Sequence, residues 1–446
     1  MTWSNGPQQP AWQPPGGPQP YGQPYDPEPH SAPPTYGGPP QGPPPTGPPP
    51  VGPPGSPSGS GKGPLIGGLV AAGLVLVLLV GVAVWVYAGR SAPDAKLDDT
   101  AAGGACDKQL AFIGTLSGKY GPLGVSALNG AKLAVDQFHK RHPDCGVKLV
   151  EFDTKDDSKT AAELAHKVAD DPSIIGTVGP VYTIEAPLTA PVLEEAGVPM
   201  ISPSATGTNL TGRGWKVFHR VIGNDSSQGP AAARYLEQIE ARRVAVVTDT
   251  NPYFKDITKG VVDGLGSNAL KTMTFDGGKP EFGKIIKYIK KSVIHAVYFS
   301  GYAGAAATFL KQLRAAKSTV RVLAPDTAYD SSIIPTAKRA KFFAVSCTCA
   351  PPDRLEERFR SDYDSAYGKP PGNYAAEAYD AATVFLKGVL DDRASRSEML
   401  GFVDKFNDYG VTKRIRFDTK GEIAPRAPVW FYSVEGDGFT YDRRID

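Results

Sequence analysis

From about residue 107 the chain alternates short apolar runs with amphipathic stretches of helical spacing. QLAFIGTL reads as a buried strand, and LNGAKLAVDQFHKRH follows with Leu128, Ala131, Leu133, Ala134, Val135 and Phe138 mostly at helical spacing. KLVEFD, SIIGTVG and VPMIS are further strands, separated by helices over TAAELAHKVADD and EAPLTAPVLEEAG, and KVFHRVI closes the run. The alternation then restarts. GPAAARYLEQI, YFKDITKGVVDGLG, FGKIIKYIKK and AAATFLKQLRAA are helices between the strands RRVAVVTD, LKTMTF, HAVYFSG and VRVLAPD. Two such runs predict an α/β protein of two doubly wound parallel-sheet lobes. The register breaks near FFAVSCTCAPPD, two helices follow in RLEERFRSDYDSAYG and NYAAEAYDAATVFLKGVLDD, and KRIRFDTKGEIAP with PVWFYSVEGDGFTY reads as two strands around a turn. The chain therefore recrosses between lobes, which makes a hinge. Expected boundaries are 107–223 with 350–409 for the N-terminal lobe, and 224–349 with 410–446 for the C-terminal lobe.

Upstream the pattern is different. Of 43 prolines, 22 lie in the first 60 residues, too few apolar side chains accompany them to offset folding entropy, and 1–62 is expected to be a disordered tail. Residues 63–88 are expected to form one transmembrane helix, since 65–88 carry no charge and a helix of that length spans about 36 Å against a hydrocarbon core of about 30 Å. Trp85 and Tyr87 sit where an interface favours aromatic rings. Residues 89–106 are a small-residue linker that keeps the following domain within roughly 50 Å of the membrane.

Lys62 on one side and Arg90 with Lys96 on the other give no charge asymmetry, so orientation rests on the cysteines. Cys106, Cys145, Cys347 and Cys349 all follow the apolar segment, which suits an oxidising compartment outside the cell membrane and a cytoplasmic N-terminus. Cys106 and Cys145 each precede a strand, and neighbouring parallel strands would bring them together. Cys347 and Cys349 are then either bridged or free. CxC without a second Cys or His pair is an incomplete zinc site.

Candidate chemistry sits at the strand ends, where parallel sheets place ligands and helix N-termini suit anions. Thr183 follows the third strand in GPVYT, and Ser204, Ala205 and Thr206 follow the fourth in ISPSAT. In the second lobe Tyr253, Tyr302 and Asp326 follow VAVVTD, AVYFSG and VRVLAP. Singly, Thr183 reads as a helix cap, the tyrosines as packing and Asp326 as a turn residue. Together, hydroxyls and helix N-termini on one lobe, with phenols and a carboxylate on the other, would surround a zwitterion.

This pattern resembles the leucine/isoleucine/valine-binding proteins, the type I periplasmic-binding family that delivers amino acids to ABC permeases. The resemblance runs through most of 108–440 in IGTLSGKYGPLG, NGAKLAVDQ, GPVYTIEAP, ISPSATGTNLT, FHRVIGNDSSQGPAAARYL, VVTDTNPYF, YFSGY and LAPD. It implies that Thr183 and Thr206 bind the ligand's α-carboxylate, with Thr206 also meeting the ammonium. It further implies that the Ser204 carbonyl accepts from that ammonium, that Tyr253 and Tyr302 line and close the pocket, and that Asp326 stands where the family often has glutamate. The family's aromatic in the first-strand loop falls on Leu123, with Tyr120 three residues earlier, and Tyr182 is a second bulky candidate for the wall facing the ligand side chain. The partners implied are a small amino acid and an ABC permease. An alternative is a membrane-tethered sensor of an amide or other small metabolite, signalling through the Pro-rich tail.

The net charge of +2 recruits no nucleic acid, and Lys284, Lys287, Lys290 and Lys291 read as a solvated helix face. GxSxG, HExxH and Walker A motifs are absent, GSGKG falls in the tail, and His139 and His142 lie at a helix end. A binding protein without catalysis, cofactor or metal is expected.

Overall fold

The computed structural model describes residues 104–118, 120–340, 342–351 and 354–445. The expected tail 1–62, membrane helix 63–88 and linker residues 89–103 lie outside the described residues, and none of the described helices is long and apolar enough to cross a membrane. The end of the expected linker is folded. Gly104–Asp107 forms a short 3-10 turn with Ala105 and Cys106 buried, and the Ala105 N–H donates to Asp392 Oδ1 at 3.1 Å.

Five parallel strands, β1 (Gln109–Gly114), β2 (Lys148–Asp153), β3 (Ile174–Val178), β4 (Met200–Ser202) and β5 (Phe218–Arg220), make the first sheet in the order β2-β1-β3-β4-β5. The central strand β3 is buried along its length, Thr177 included, because helices cover both faces, whereas edge strand β2 keeps Lys148 and Glu151 in solvent. The Cys106–Cys145 bridge follows from this order, since β1 and β2 pair from Gln109 and Lys148 onward.

β6 (Val244–Asp249), β7 (Ala269–Phe275), β8 (Ala296–Ser300), β9 (Arg321–Ala324) and β10 (Phe343–Cys347) form the parallel part of the second sheet. Two small strands, β11 (Asn407–Tyr409) and β12 (Arg414–Arg416), pair only with each other. The hairpin of β13 (Val429–Glu435) and β14 (Gly438–Ile445) then adds antiparallel to β10. The expected pair of terminal strands is thus two pairs. KRIRF belongs to a surface ribbon, and the hairpin turns at EGDG, where Gly436 has φ 57°.

The first lobe is built around the nearly fully buried helix Ala375–Leu390, which packs along the helix Gly121–Arg141. That second helix begins at Gly121 rather than Leu128, so its glycines are helical despite their low propensity. Gly130 shows why: a Cβ there would lie 1.8 Å from the Ala375 carbonyl oxygen. Residues 410–424 also stay with the first lobe, correcting the expected boundary at 409/410. Val411 and Thr412 N–H groups donate to buried Asp380 at 2.7 and 3.1 Å, the Phe417 ring lies 4.9 Å from His219, and Glu422 pairs with Arg220.

The chain crosses between lobes around Gly223, Thr348 and Ala427, and the three crossings touch. Thr348 Oγ1 donates to the Gly223 carbonyl at 3.0 Å, and a Cβ on Gly223 would come within 3.1 Å of Ala427. Cys347 and Cys349, flanking Thr348, are bridged.

Candidate functional site

At the carboxyl ends of the first sheet, the loop after β4 is stitched to the loop after β3. Ser202 Oγ donates to the Pro180 carbonyl at 2.7 Å and accepts from Ala205 N–H at 2.9 Å, while Ser204 Oγ donates to the Val181 carbonyl at 2.6 Å. The two serines of ISPSAT therefore hold one loop against the other. Gly207 N–H donates to Thr183 Oγ1 at 3.0 Å, an approach that needs glycine, because a Cβ would sit 2.4 Å from Thr183 Cγ2.

Beneath the loop lies Arg220 from β5, fully buried. Its Nη1 donates to the carbonyls of Ala205 and Gly207, both at 2.9 Å, and its Nε and Nη2 grip the Glu422 carboxylate. Glu422 in turn accepts from Thr211 Oγ1 and Asn224 Nδ2, and these donors and the Arg220 charge hold its carboxyl below the usual range against the effect of burial. The carbonyl of Ala205, a candidate ligand contact, is thus partly committed to Arg220.

From this loop Thr206 Oγ1 reaches across to Tyr253 Oη of the second lobe at 3.0 Å. Tyr253 stacks near Tyr302 at 6.5 Å between ring centroids, and Tyr302 approaches Tyr120 of the first lobe at 5.6 Å. Tyr182 closes the group, its ring 6.0 Å from Tyr120 and its Oη donating to the Tyr120 carbonyl at 2.9 Å. Leu123 is the third residue of its helix and packs, half-buried, against the core, while Tyr120 meets Tyr302 of the second lobe.

Asp326 is buried, with Oδ2 accepting from Tyr374 Oη at 3.1 Å and Oδ1 without a hydrogen-bond partner among the described residues. Burial pushes its carboxyl up to about 6, opposed by hydrogen bonding from Tyr374, the Gln228 side chain and the N–H groups of Thr327 and Asp326 itself. Asp225, also buried, is pushed well above the carboxylate range by burial and then by the charge of Asp326, opposed by the Thr206 hydroxyl and the Arg220 charge. Gln228 Nε2 donates to Asp225 Oδ1 at 3.0 Å and its Oε1 accepts from Ser346 Oγ, also at 3.0 Å. A buried carboxylate that raises the proton affinity of its buried neighbour favours a proton held by the pair over two charges side by side.

Thr206, Tyr253, Tyr302 and Tyr182 therefore meet, with Tyr120, between the lobes; Thr183, Ser204 and Ala205 stand in the loops that carry them, and Asp326 lies close enough for its charge to act on Tyr253 and Tyr302. Asp225, Gln228, Arg220, Glu422 and Tyr374 were not singled out from the sequence. Asp225 and Gln228 had a signal, because NDSSQGP puts both on one face at a helix start, three residues apart. Tyr374 had none, since its reach to Asp326 depends on a left-handed backbone at φ 62° and on a residue 48 positions away.

The sequence pattern of the periplasmic binding proteins matches residues 109–438. A leucine-, isoleucine-, valine-, threonine- and alanine-binding protein of Pseudomonas aeruginosa is 28% identical over 71% of this chain and 87% of its own length. The Leu/Ile/Val/Thr-binding protein of Salmonella typhimurium is 32% identical over 50% of this chain, a match that spans 62% of that relative. A leucine-binding protein from Thermotoga maritima has the same fold, with TM-score 0.68 and 24% identity over 76% of this chain and 99% of its own. A solute-binding protein from R. palustris in complex with benzoate has it too, with TM-score 0.66 and 19% identity over 75% of this chain and 95% of its own. One fold thus holds chemically different guests, and the site has to decide the ligand. With two lobes of largely parallel sheet, three touching crossovers and a sequence match over 109–438, this chain belongs to the periplasmic binding protein family.

Proposed function

We propose that the protein closes its two lobes on a free amino acid, of branched-chain type or a related zwitterion, and presents it to an ABC permease. The carrying observation is the buried Asp326 oxygen that lacks a hydrogen-bond partner among the described residues, with Asp225 and Tyr253 near enough to feel the charge of that carboxyl. An ammonium supplies what that oxygen lacks, and the Thr183 and Thr206 hydroxyls with nearby loop N–H groups suit the carboxylate end. Branched-chain binding by the relatives supports the side-chain class, and the Tyr120, Tyr182 and Tyr302 rings offer an apolar wall. Closure joins both half-sites, so a ligand that contacts both lobes biases the closed form, which a permease can read.

Residues 63–88 complete this reading as a membrane anchor, with the N-terminus in the cytoplasm and the binding domain outside. The deciding experiment is a thermal-shift panel of free amino acids, their amides and aromatic acids on full-length protein in detergent. A ligand that binds only the folded state at a hundredfold over its Kd adds about 2.7 kcal/mol of stability. Leucine, isoleucine or valine should raise Tm and their amides should not; a shift by amides or benzoate alone would refute the zwitterion.

A further inference from the structure

Glu185 lies directly behind the carboxylate half-site and has no part in the contacts described so far. It is 4% exposed and sits between three strand ends of the first lobe. Its Oε1 accepts from Thr115 Oγ1 at 2.9 Å, just after β1, and from Thr154 Oγ1 at 2.5 Å, just after β2. Its Oε2 accepts from the N–H groups of Val181 and Tyr182 at 3.1 and 2.8 Å, in the loop after β3. The two threonine hydroxyls also lie 2.9 Å apart, so the donors form one closed set.

A buried carboxylate with so many donors is an expensive device where only a turn is needed. A helix-capping role does not account for it: Glu185 is the residue before the helix Ala186–Glu195, yet its side chain makes no cap bond and reaches upstream instead. What it fixes is the backbone of Val181 and Tyr182. That backbone sets three things in the cleft: the Val181 carbonyl that receives Ser204 Oγ, the Tyr182 ring against Tyr120, and the adjacent Thr183 hydroxyl that receives Gly207 N–H. Thr183 and Tyr182 belong to different parts of the site, one to the carboxylate end and one to the side-chain wall. Ile184, between Thr183 and Glu185, is 69% exposed, so the chain turns its next side chain out to solvent between the two inward-facing groups.

We propose that Glu185 is a positioning residue for ligand recognition, holding the loop 180–183 so that Thr183 and Tyr182 face the guest together. The proposal rests on the zwitterion reading for the role of Thr183, but not for the clamp itself. Gln can keep the clamp, because one end accepts from the two amides while the threonine hydroxyls rotate to accept from the other. Leu fills the space and can accept from none of them.

The test uses full-length protein carrying Glu185→Gln or Glu185→Leu, read by amide hydrogen exchange and by calorimetry with L-leucine. Glu185→Leu should speed exchange of the Val181 and Tyr182 amides by about tenfold or more while β6 stays as protected as before. Glu185→Gln should restore protection. Leucine affinity should fall about tenfold in the Leu variant and recover in the Gln variant, and adding Thr183→Ala to the Leu variant should weaken it less than Thr183→Ala does alone. Unchanged exchange in the loop, exchange rising equally in both lobes, or no recovery with Gln would overturn the proposal. Should the Leu variant not fold, Thr115→Val with Thr154→Val removes the same hydroxyl donors and must loosen the same two amides. If the unaltered protein binds no leucine, the ligand reading fails while the exchange measurement still decides the role of Glu185.

Discussion

Replacing Asp326 with asparagine separates the cost of the site to the fold from its value to the ligand. The side chain keeps its shape and can still accept from Tyr374 Oη, now 3.1 Å from Oδ2, but it loses its charge. Burial raises the Asp326 carboxyl from 3.8 to about 6. For an acid raised on folding, the folded state holds its proton more tightly than the unfolded chain. Stability is then fully present below about pH 4 and is lost as pH rises through about 6. A shift of about two units is on the order of 3 kcal/mol. At pH 7 the ligand-free asparagine variant should therefore be more stable than the unaltered protein by up to that amount, a few degrees in Tm for a domain of this size. The gain should vanish at pH 4, where both side chains are neutral. Binding should move oppositely, because truncating one partner of a buried charge pair costs about 2–5 kcal/mol, or at least about thirtyfold in Kd. Scanning calorimetry at two pH values and titration calorimetry with L-leucine measure both effects. A lower Tm at pH 7, or an affinity within about threefold of the original, would refute a charged pairing at this carboxylate.

Acidification should weaken ligand binding as well, because an ammonium must displace the proton held by the Asp225–Asp326 pair. Affinity should fall by up to about tenfold per unit below about pH 6, where Asp326 takes up its proton; titrations in buffers of different ionisation enthalpy should count up to one proton released per ligand. Arg220→Met should destabilise the fold by about 3–5 kcal/mol in urea, since Glu422 and two loop carbonyls lose a buried cation. A loss under about 1 kcal/mol would show that the loop does not depend on it. Thr206→Val and Tyr253→Phe share one hydrogen bond across the cleft, so each should weaken leucine binding several-fold. The phenylalanine change should add nothing in the valine background, and additive losses would show that the two hydroxyls do not meet in the liganded protein.

The strands were legible because their signal is local. VAVVTD, KLVEFD and AVYFSG are short apolar or alternating runs bounded by helices of different period, and each becomes a strand within two residues of where the pattern puts it. The Cys106–Cys145 bridge was legible for the same reason, since two strand starts and a parallel neighbour rule bring them together. The start of the helix at Gly121 was not, because glycine lowers local propensity and only the approach of Ala375 makes its missing side chain an advantage.

Of the site, residue chemistry at strand ends pointed to Thr183, Thr206, Tyr253, Tyr302 and Asp326 one at a time, and topology alone argued that they converge. How they are held was beyond reach of the chain's own pattern. Arg220 and Glu422 are 202 residues apart and meet because 410–424 folds back onto the first lobe, against a local pattern that continues smoothly into the final hairpin. The contact of Tyr120 with Tyr302 depends likewise on how the two lobes pack, which no local pattern carries. Hydrophobic periodicity, a property of neighbours in sequence, determined the sheets and their lobes. Close packing of segments distant in sequence decided which polar groups share the buried space between them, and with it their charge.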